Sequence, residues 1–584
     1  MQVESQFNGH TGPLRFSAFV PAQSVNHHFS DPAGRREALQ LFQANKINKV
    51  YLDCLRGGHF PGEEVLITAR DFFREHGLEV SAGLTPTRGT GKASTHGRWW
   101  LCYTNKKTQE ELQQVVRRTA RIFDEIIVDD FLCTQCQCNE CRTARDEHSW
   151  GEYYRDLLVQ VAQDCIIAPS KAENPRMRLV IKYPQWYDRF HAFGYDVRQH
   201  PTLFDEVWVG TEIRDPRVEY VHQYQAFANY QWLASLSGEK IGGAWFDFIN
   251  CYPEIYVEQA VQSILAGARE LIRFHYQPDL YSPEHPNTSA LLKAMPELEK
   301  LASLLDGHAP QGIAFYKPPD TDGEDEAYLL DYLGMLGLPM IPCHTFPHNA
   351  QAVCLPLHAA VGPDIADNVI ALAERGGTIM LTPGFLEKFA HDERILRLAG
   401  YANPPVTAAD FWTFRFSVQQ APALAESHIH FGANLHPISA EVLASGIHPT
   451  GNFPVLTRNK YENGKVLVFN AKTFRYSEGS GRVTVAEPVS LPNLPQKLVD
   501  ILRAEMLSDF PVNVQVQSRV GVYWYSNLLV LTNFNDQSVE AKVALKPTYT
   551  GHAKDAVTQR MLGEWADGQL TFEIPARQFA VISR

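Results

Sequence analysis

The sequence predicts an α/β protein: a (β/α)8 TIM barrel, then a flavodoxin-like α/β domain, then a C-terminal antiparallel β-sandwich. Three observations carry this. Up to about residue 306, eight short apolar runs alternate with longer helical patterns, the rhythm of a parallel barrel. Four more βα units follow, and from about Phe453 the pattern turns to alternating β runs separated by Gly, Asn and Asp. At 584 residues the chain exceeds what one core supports, and the divisions fall at 1–306, 307–490 and 491–584.

The eight barrel strands are expected at 14–20 (LRFSAFV), 47–53 (INKVYLD), 78–84 (LEVSAGL), 125–130 (EIIVDD), 177–183 (MRLVIKY), 205–212 (DEVWVGTE), 242–248 (GGAWFDF) and 271–276 (LIRFHY). Between them lie helical stretches such as TQEELQQVVRRTARIF. There Thr108 and Glu111 have capping-box spacing, and Leu112, Val115, Val116 and Ala120 form one apolar stripe. In the second region, strands are expected at 312–317, 337–342, 352–357 and 377–382, with helices over 324–334 and 363–375. The terminal β runs include KVLVFNAKTF, NLLVLTNFN, VEAKVAL and LTFEIPARQFAVIS.

The charge balance, 66 acids against 53 bases with no basic block, argues against nucleic acid as a partner. No leader and no uncharged apolar stretch of about 18 residues is visible, so the reading is cytoplasmic, without a membrane. Ten cysteines are too sparse for a disulfide scaffold, and four of them lie between Cys133 and Cys141. Reduced thiols with one metal site fit that usage. The segment 320–326 (DTDGEDE) starts like a calcium loop but lacks the later glutamate, so it reads as a solvated turn.

In such barrels the chemistry sits where the strands end. Those positions carry Asp53, Asp129 and Asp130, Lys182 and Tyr183 with Trp186, Glu212, Asp247 beside Trp245, and His275. Carboxylates converging with aromatic rings suit a sugar pocket. Rings stack on apolar sugar faces, one carboxylic acid protonates a leaving oxygen, and a second carboxylate stabilises the oxocarbenium-like centre. Strand alternation is expected to turn Asp129 and Asp130 opposite ways, leaving one toward the substrate. Asp130 and Glu212 are the expected pair, with Asp247 the alternative to Glu212. Asp129, Asp53, Lys182, Tyr183, Trp186, Trp245 and His275 are assigned to substrate binding.

Cys133, Cys136, Cys138 and Cys141 read C-x2-C-x-C-x2-C, close enough to wrap a tetrahedral Zn2+. Four thiolates complete the ion's shell, so such a site would stiffen a loop without activating water.

The residues taken together resemble glycoside hydrolase family 42, the β-galactosidases built of a barrel, a flavodoxin-like trimerisation domain and a small β domain. The resemblance rests on the order of the three regions, on HGRWWLCYTN after strand 3, and on an acid after strand 4 followed by C-x-C-x2-C. It implies a structural zinc held by Cys102, Cys136, Cys138 and Cys141, with Cys133 as the substitute for Cys102, and a homo-oligomer, dimer or trimer. It also implies a retaining glycosidase. Two positions depart from the family: its Asn-Glu pair after strand 4 is Asp129-Asp130 here, and its strand 7 glutamate has no counterpart, the segment GGAWFDFIN offering only Asp247. An acid on strand 4 working with one on strand 6 resembles instead the α-galactosidase-like barrels, whose strand 4 aspartate is the nucleophile. A protein that keeps the barrel only to bind sugar or to assemble is the remaining alternative.

Overall fold

The computed structural model describes residues 3–4, 11–97, 99–219, 221–411, 414–418, 421–427, 431–448, 451–470, 494–546 and 548–583. All eight barrel strands form where the apolar runs place them. They are β1 Arg15–Val20, β2 Ile47–Asp53, β3 Glu79–Leu84, β4 Glu125–Val128, β5 Arg178–Tyr183, β6 Glu206–Gly210, β7 Ile241–Asp247 and β8 Glu270–Phe274. Each pairs in parallel with the next, and β1 closes on β8 through Phe19↔Phe274.

Alternation along the strands fills the interior. Phe19, Tyr51, Ile127, Val180, Trp208, Trp245 and Ile272 point inward from seven strands and pack into one buried cluster. The eighth contribution is an absence of side chain: a Cβ at Gly83 of β3 would lie 2.5 Å from the Phe19 ring. The barrel is therefore plugged, and any ligand space lies above the plug at the strand ends.

The helix Lys106–Ile122 buries the stripe Leu112, Val115, Val116 and Ala120. Its cap, however, is Asn105, whose side chain accepts from the Thr108 backbone N–H at 3.3 Å. Thr108 already lies inside the helix, and its hydroxyl accepts from the Lys92 backbone N–H at 2.8 Å. Either residue satisfies the cap chemistry, and the one nearer the chain's entry takes it.

In the second region, five parallel strands stand in the order Met340–Cys343, Pro310–Tyr316, Ala352–Leu355, Thr378–Leu381, Gly464–Phe469. That is the 2-1-3-4-5 order of flavodoxin-like sheets. Before the fifth strand the chain makes an antiparallel excursion that returns along Gly451–Tyr461. The run at 465–469 thus joins the parallel sheet (Thr378↔Lys465), although its local pattern resembles the terminal β runs. The division expected at residue 490 lies outside the described residues.

The C-terminal strands form two antiparallel layers, Val520–Tyr525, Leu528–Asn533 and Phe579–Ser583 against Val512–Gln515, Val539–Leu545 and Gln569–Ile574. Val522, Leu531, Val543 and Phe572 fill the space between. The first layer also pairs with the second region, Pro310↔Tyr525 and Gln311↔Trp524, so one sheet runs through both.

Candidate active site

A cavity of about 620 Å3 opens at the C-terminal end of the barrel. Its floor and sides carry Asp129 and Asp130 from the end of β4, Lys182 from β5, Glu212 after β6, and Trp245 and Asp247 from β7. Its walls carry Trp99, Trp100, Phe131, Gln185, Trp186 and Phe274, and Arg56 and Arg214 complete the charged set.

Lys182, 2% exposed, is the hub. Its Nζ donates to Glu212 Oε1 at 2.9 Å and to Asp130 Oδ2, and lies 3.7 Å from Asp129 Oδ1. The same ammonium sits 4.7 Å above the Trp245 ring, a cation–π contact that fixes it from below. Two carboxylates each one hydrogen bond from a single nitrogen have their nearest oxygens within about 6 Å of each other. The other oxygen of Glu212, Oε2, is buried without a hydrogen-bond partner. A Cβ at Gly210 would lie 2.6 Å from that oxygen.

Asp129 belongs to a second chain of contacts. Arg56 reaches Asp53 Oδ2 from Nε at 2.8 Å, and Asp129 Oδ2 and the Thr85 hydroxyl from Nη2 at 2.6 and 2.8 Å. Asp129 Oδ1 accepts from the Asp130 backbone N–H at 2.8 Å. Both aspartates line the cavity, contrary to the alternation expected of them, because β4 ends at Val128 and the pleat no longer governs residues 129 and 130. Asp247 is gripped by Arg214 and also accepts from the Ile249 backbone N–H at 3.0 Å.

These surroundings separate the acids. Burial raises the pKa of Asp130 to about 7, Lys182 opposing and the Asp129 and Glu212 charges adding to it. Burial also raises Glu212, against Lys182 and helped by Asp247. For Asp129 burial pushes the same way, but Lys182 and Arg56 outweigh it and the carboxyl is held below its ordinary value. Asp53 is lifted to about 6 by burial despite Arg56.

Of the residues singled out from the sequence, Asp129, Asp130, Lys182, Trp186, Glu212, Trp245 and Asp247 line this one cavity. Three do not. Asp53 is fully buried behind Arg56. Tyr183 turns away, its hydroxyl donating to the Asp196 carbonyl at 3.2 Å and its ring packed on Phe190 and Tyr195. His275 packs against Phe248 and Phe274, and burial with the nearby Arg56 charge holds its pKa down to about 4. Conversely, sequence reasoning passed over Arg56, Arg214, Gln185 and the Trp99-Trp100 pair. The two tryptophans carried a signal, since adjacent large rings beside a ligand-type cysteine are unusual in a loop.

Beside the wall lies the thiol cluster. Cys102, Cys136, Cys138 and Cys141 have sulfurs within 4.8 Å of one another, with Cys102 to Cys141 at 3.5 Å, and Cys102 to Cys138 and Cys138 to Cys141 both at 3.7 Å. A tetrahedral ion with 2.3 Å bonds to sulfur needs separations of about 3.8 Å, so the four thiols fit one metal ion. Lys92 Nζ, 3.3 Å from Cys138 Sγ, and the Thr104 hydroxyl, 3.0 Å from Cys141 Sγ, supply polar support around it. Cys133, a member by spacing alone, lies in the barrel core instead, and Cys102 arrives from the β3 loop. That loop holds Trp99 and Trp100, so the cluster ties one cavity wall to the loop after β4.

Residues 4–289 match the model of a probable glycosyl hydrolase catalytic domain, and residues 309–474 match the second domain of uncharacterized protein SSO3021. Uncharacterized protein SSO3021 of Saccharolobus solfataricus is 24% identical over 484 residues, 75% of this chain and 79% of that protein. Among solved structures, a catalytic mutant of a GH42 β-galactosidase from G. stearothermophilus superposes with a TM-score of 0.64 at 12% identity, covering 100% of this chain and 99% of its own. The α-L-fucosidase isoenzyme 2 of Paenibacillus thiaminolyticus gives 0.66 at 12% identity, covering 98% and 100%. At these identities the structural matches establish the fold, a TIM barrel with a mixed sheet and antiparallel C-terminal sheets. No helix among the described residues is long and apolar enough to cross a membrane.

Proposed function

We propose that this chain, whose barrel matches a glycosyl hydrolase catalytic domain and whose architecture is that of the GH42 β-galactosidases, is a retaining glycosidase using Asp130 and Glu212. The supporting observation is the single ammonium of Lys182 shared by both carboxylates, which gathers the two acids at one point of the cavity; retention rests on the family resemblance. Asp130, with its pKa raised to about 7, is the general acid that protonates the departing oxygen. Glu212, 4% exposed at the cavity floor, attacks the anomeric carbon as that bond breaks. Once Asp130 is protonated, the Lys182 charge is left to Glu212 and favours its ionised, nucleophilic form. A water then displaces Glu212, giving its proton to Asp130.

Trp99, Trp100 and Trp186 supply stacking faces, and Asp129, held by Arg56, accepts sugar hydroxyls. In this reading the thiol cluster carries structural Zn2+, and the chain works in the cytoplasm, where its thiols stay reduced. The relatives' printed activities make galactosides and fucosides the first substrates to try; dimeric or trimeric assembly rests on the family resemblance alone.

A 2-deoxy-2-fluoro glycosyl fluoride, digested and mapped by mass spectrometry after reaction, tests the assignment. Label on Glu212 is expected. Label on Asp130 would reverse the two roles, as in the α-galactosidase-like barrels, and hydrolysis with inversion at the anomeric carbon would overturn the mechanism.

A further inference from the structure

The cavity has two aromatic walls on separate loops, and only one is tied by the thiol cluster. The other, Gln185 and Trp186 after β5, continues into a segment several of whose polar side chains reach outside the barrel. Tyr187 donates its hydroxyl to Asp331 Oδ1 at 2.8 Å. Asp188 Oδ1 meets Lys317 Nζ at 2.9 Å and His358 Nε2 at 3.2 Å, while its other oxygen accepts from the Tyr328 backbone N–H. His191 Nε2 lies 3.1 Å from Asp322, and Arg198 Nε 3.2 Å from Asp320. Every one of those partners belongs to the region that follows the barrel.

The central contact is deeply enclosed. Asp188, Lys317 and His358 are each at most 2% exposed at the side chain. Lys317 is fixed in turn by the barrel: its ammonium lies 4.5 Å over the Trp232 ring, and its carbonyl accepts from Trp232 Nε1 at 2.9 Å. The His358 Nδ1 is 2.9 Å from the Thr321 hydroxyl. The segment 320–326, a solvated turn by its sequence, is here a docking surface, with Asp320 and Asp322 spent on barrel side chains. A buried ion pair of this kind adds little net stability but is stringent about geometry, because displacing either partner strands a charge.

We infer that Lys317, with His358, is a positioning residue for sugar binding: it fixes Asp188 and thereby the Gln185-Trp186 wall, without touching the substrate. The second region then acts chiefly on affinity: the Asp130 and Glu212 carboxylates are held by Lys182 within the barrel, and the segment reaches this pair through the Tyr195 hydroxyl, which donates to the Asp130 backbone carbonyl at 2.6 Å. The kinetic part rests on the glycosidase reading; the structural part does not.

The test uses the full chain, with Lys317→Met and the double variant Asp188→Asn/Lys317→Met, which removes both charges and guards against misfolding of the single one. Amide hydrogen exchange should speed up by roughly tenfold or more over 184–198, with β4, β6 and β7 unchanged. On an aryl glycoside that the wild type cleaves, KM should rise roughly tenfold with kcat within about twofold, the scale of one lost stacking contact. Unchanged protection of 184–198 in the folded double variant, or a fall in kcat at constant KM, would overturn the inference. Should the wild type cleave no glycoside, the exchange result still decides the positioning claim, and the failure belongs to the mechanism instead.

Discussion

Arg214 grips both carboxylate oxygens of Asp247, its Nε 3.0 Å from Oδ1 and its Nη2 2.7 Å from Oδ2. A two-pronged guanidinium pair fixes the orientation of the carboxylate. Asp247 is therefore poorly placed to move toward an anomeric carbon, whereas Glu212 has one oxygen on Lys182 and the other unpartnered.

That contrast ranks the acids. Glu212→Gln, which removes the nucleophile, should lower kcat on an aryl glycoside by about 10³-fold or more, and Asp247→Asn by only about tenfold. Steady-state kinetics on both variants, with melting temperatures to exclude unfolding, checks the ranking. Equal losses would return Asp247 to candidacy as the partner of Asp130.

Gly210 makes a sharper geometric prediction. A methyl group there would sit 2.6 Å from Glu212 Oε2, 3.0 Å from the Tyr183 carbonyl and 3.1 Å from the Gln185 nitrogen. Two of these neighbours are backbone, so the carboxylate is the group that yields. Gly210→Ala should cost about 100-fold in kcat, the penalty of moving a reacting group by about 1 Å, measured beside a melting curve.

The pH profile follows from Asp130. With a pKa near 7 it carries its proton below that pH, so kcat/KM for a substrate with a poor leaving group should fall as pH rises through about 7. Asp130→Asn should abolish that limb. The same shift has a stability consequence. The folded value exceeds the unfolded one of about 3.9, so the folded chain binds more protons between about pH 4 and 7, and this group's stabilising contribution is lost as pH rises through that window. Melting temperature against pH should be flatter there in Asp130→Asn.

For the thiol cluster, elemental analysis should find one zinc per chain. Cys102→Ser should lose it and melt several degrees lower, as expected when a structural site goes, while Cys133→Ser should keep the metal. Residual hydrolysis by the metal-free variant with raised KM fits a wall-stiffening ion. Loss of kcat alone would place the metal in the chemistry.

The barrel was legible because each strand is a short, dense apolar run and the plug repeats with the pleat, a signal local in sequence. The acids were legible for the same reason, standing where those runs stop. What escaped was set by tertiary contacts. Arg56 works through its reach to Asp129, and Asp320 and Asp322 read as a turn because their partners Arg198 and His191 lie far upstream; Cys102, more than thirty residues from the rest of its cluster, was legible through the family resemblance and not from spacing. Pairing across such distances leaves no periodicity for a reader to find.

The pairing of Pro310 with Tyr525 and Gln311 with Trp524 means that the chain's last layer is no detachable accessory. Trimming the tail to simplify expression would bare the edge of the central sheet, a row of unsatisfied amides open to any extended neighbour. An engineer seeking a minimal version of this protein would have to seal that edge before discarding anything.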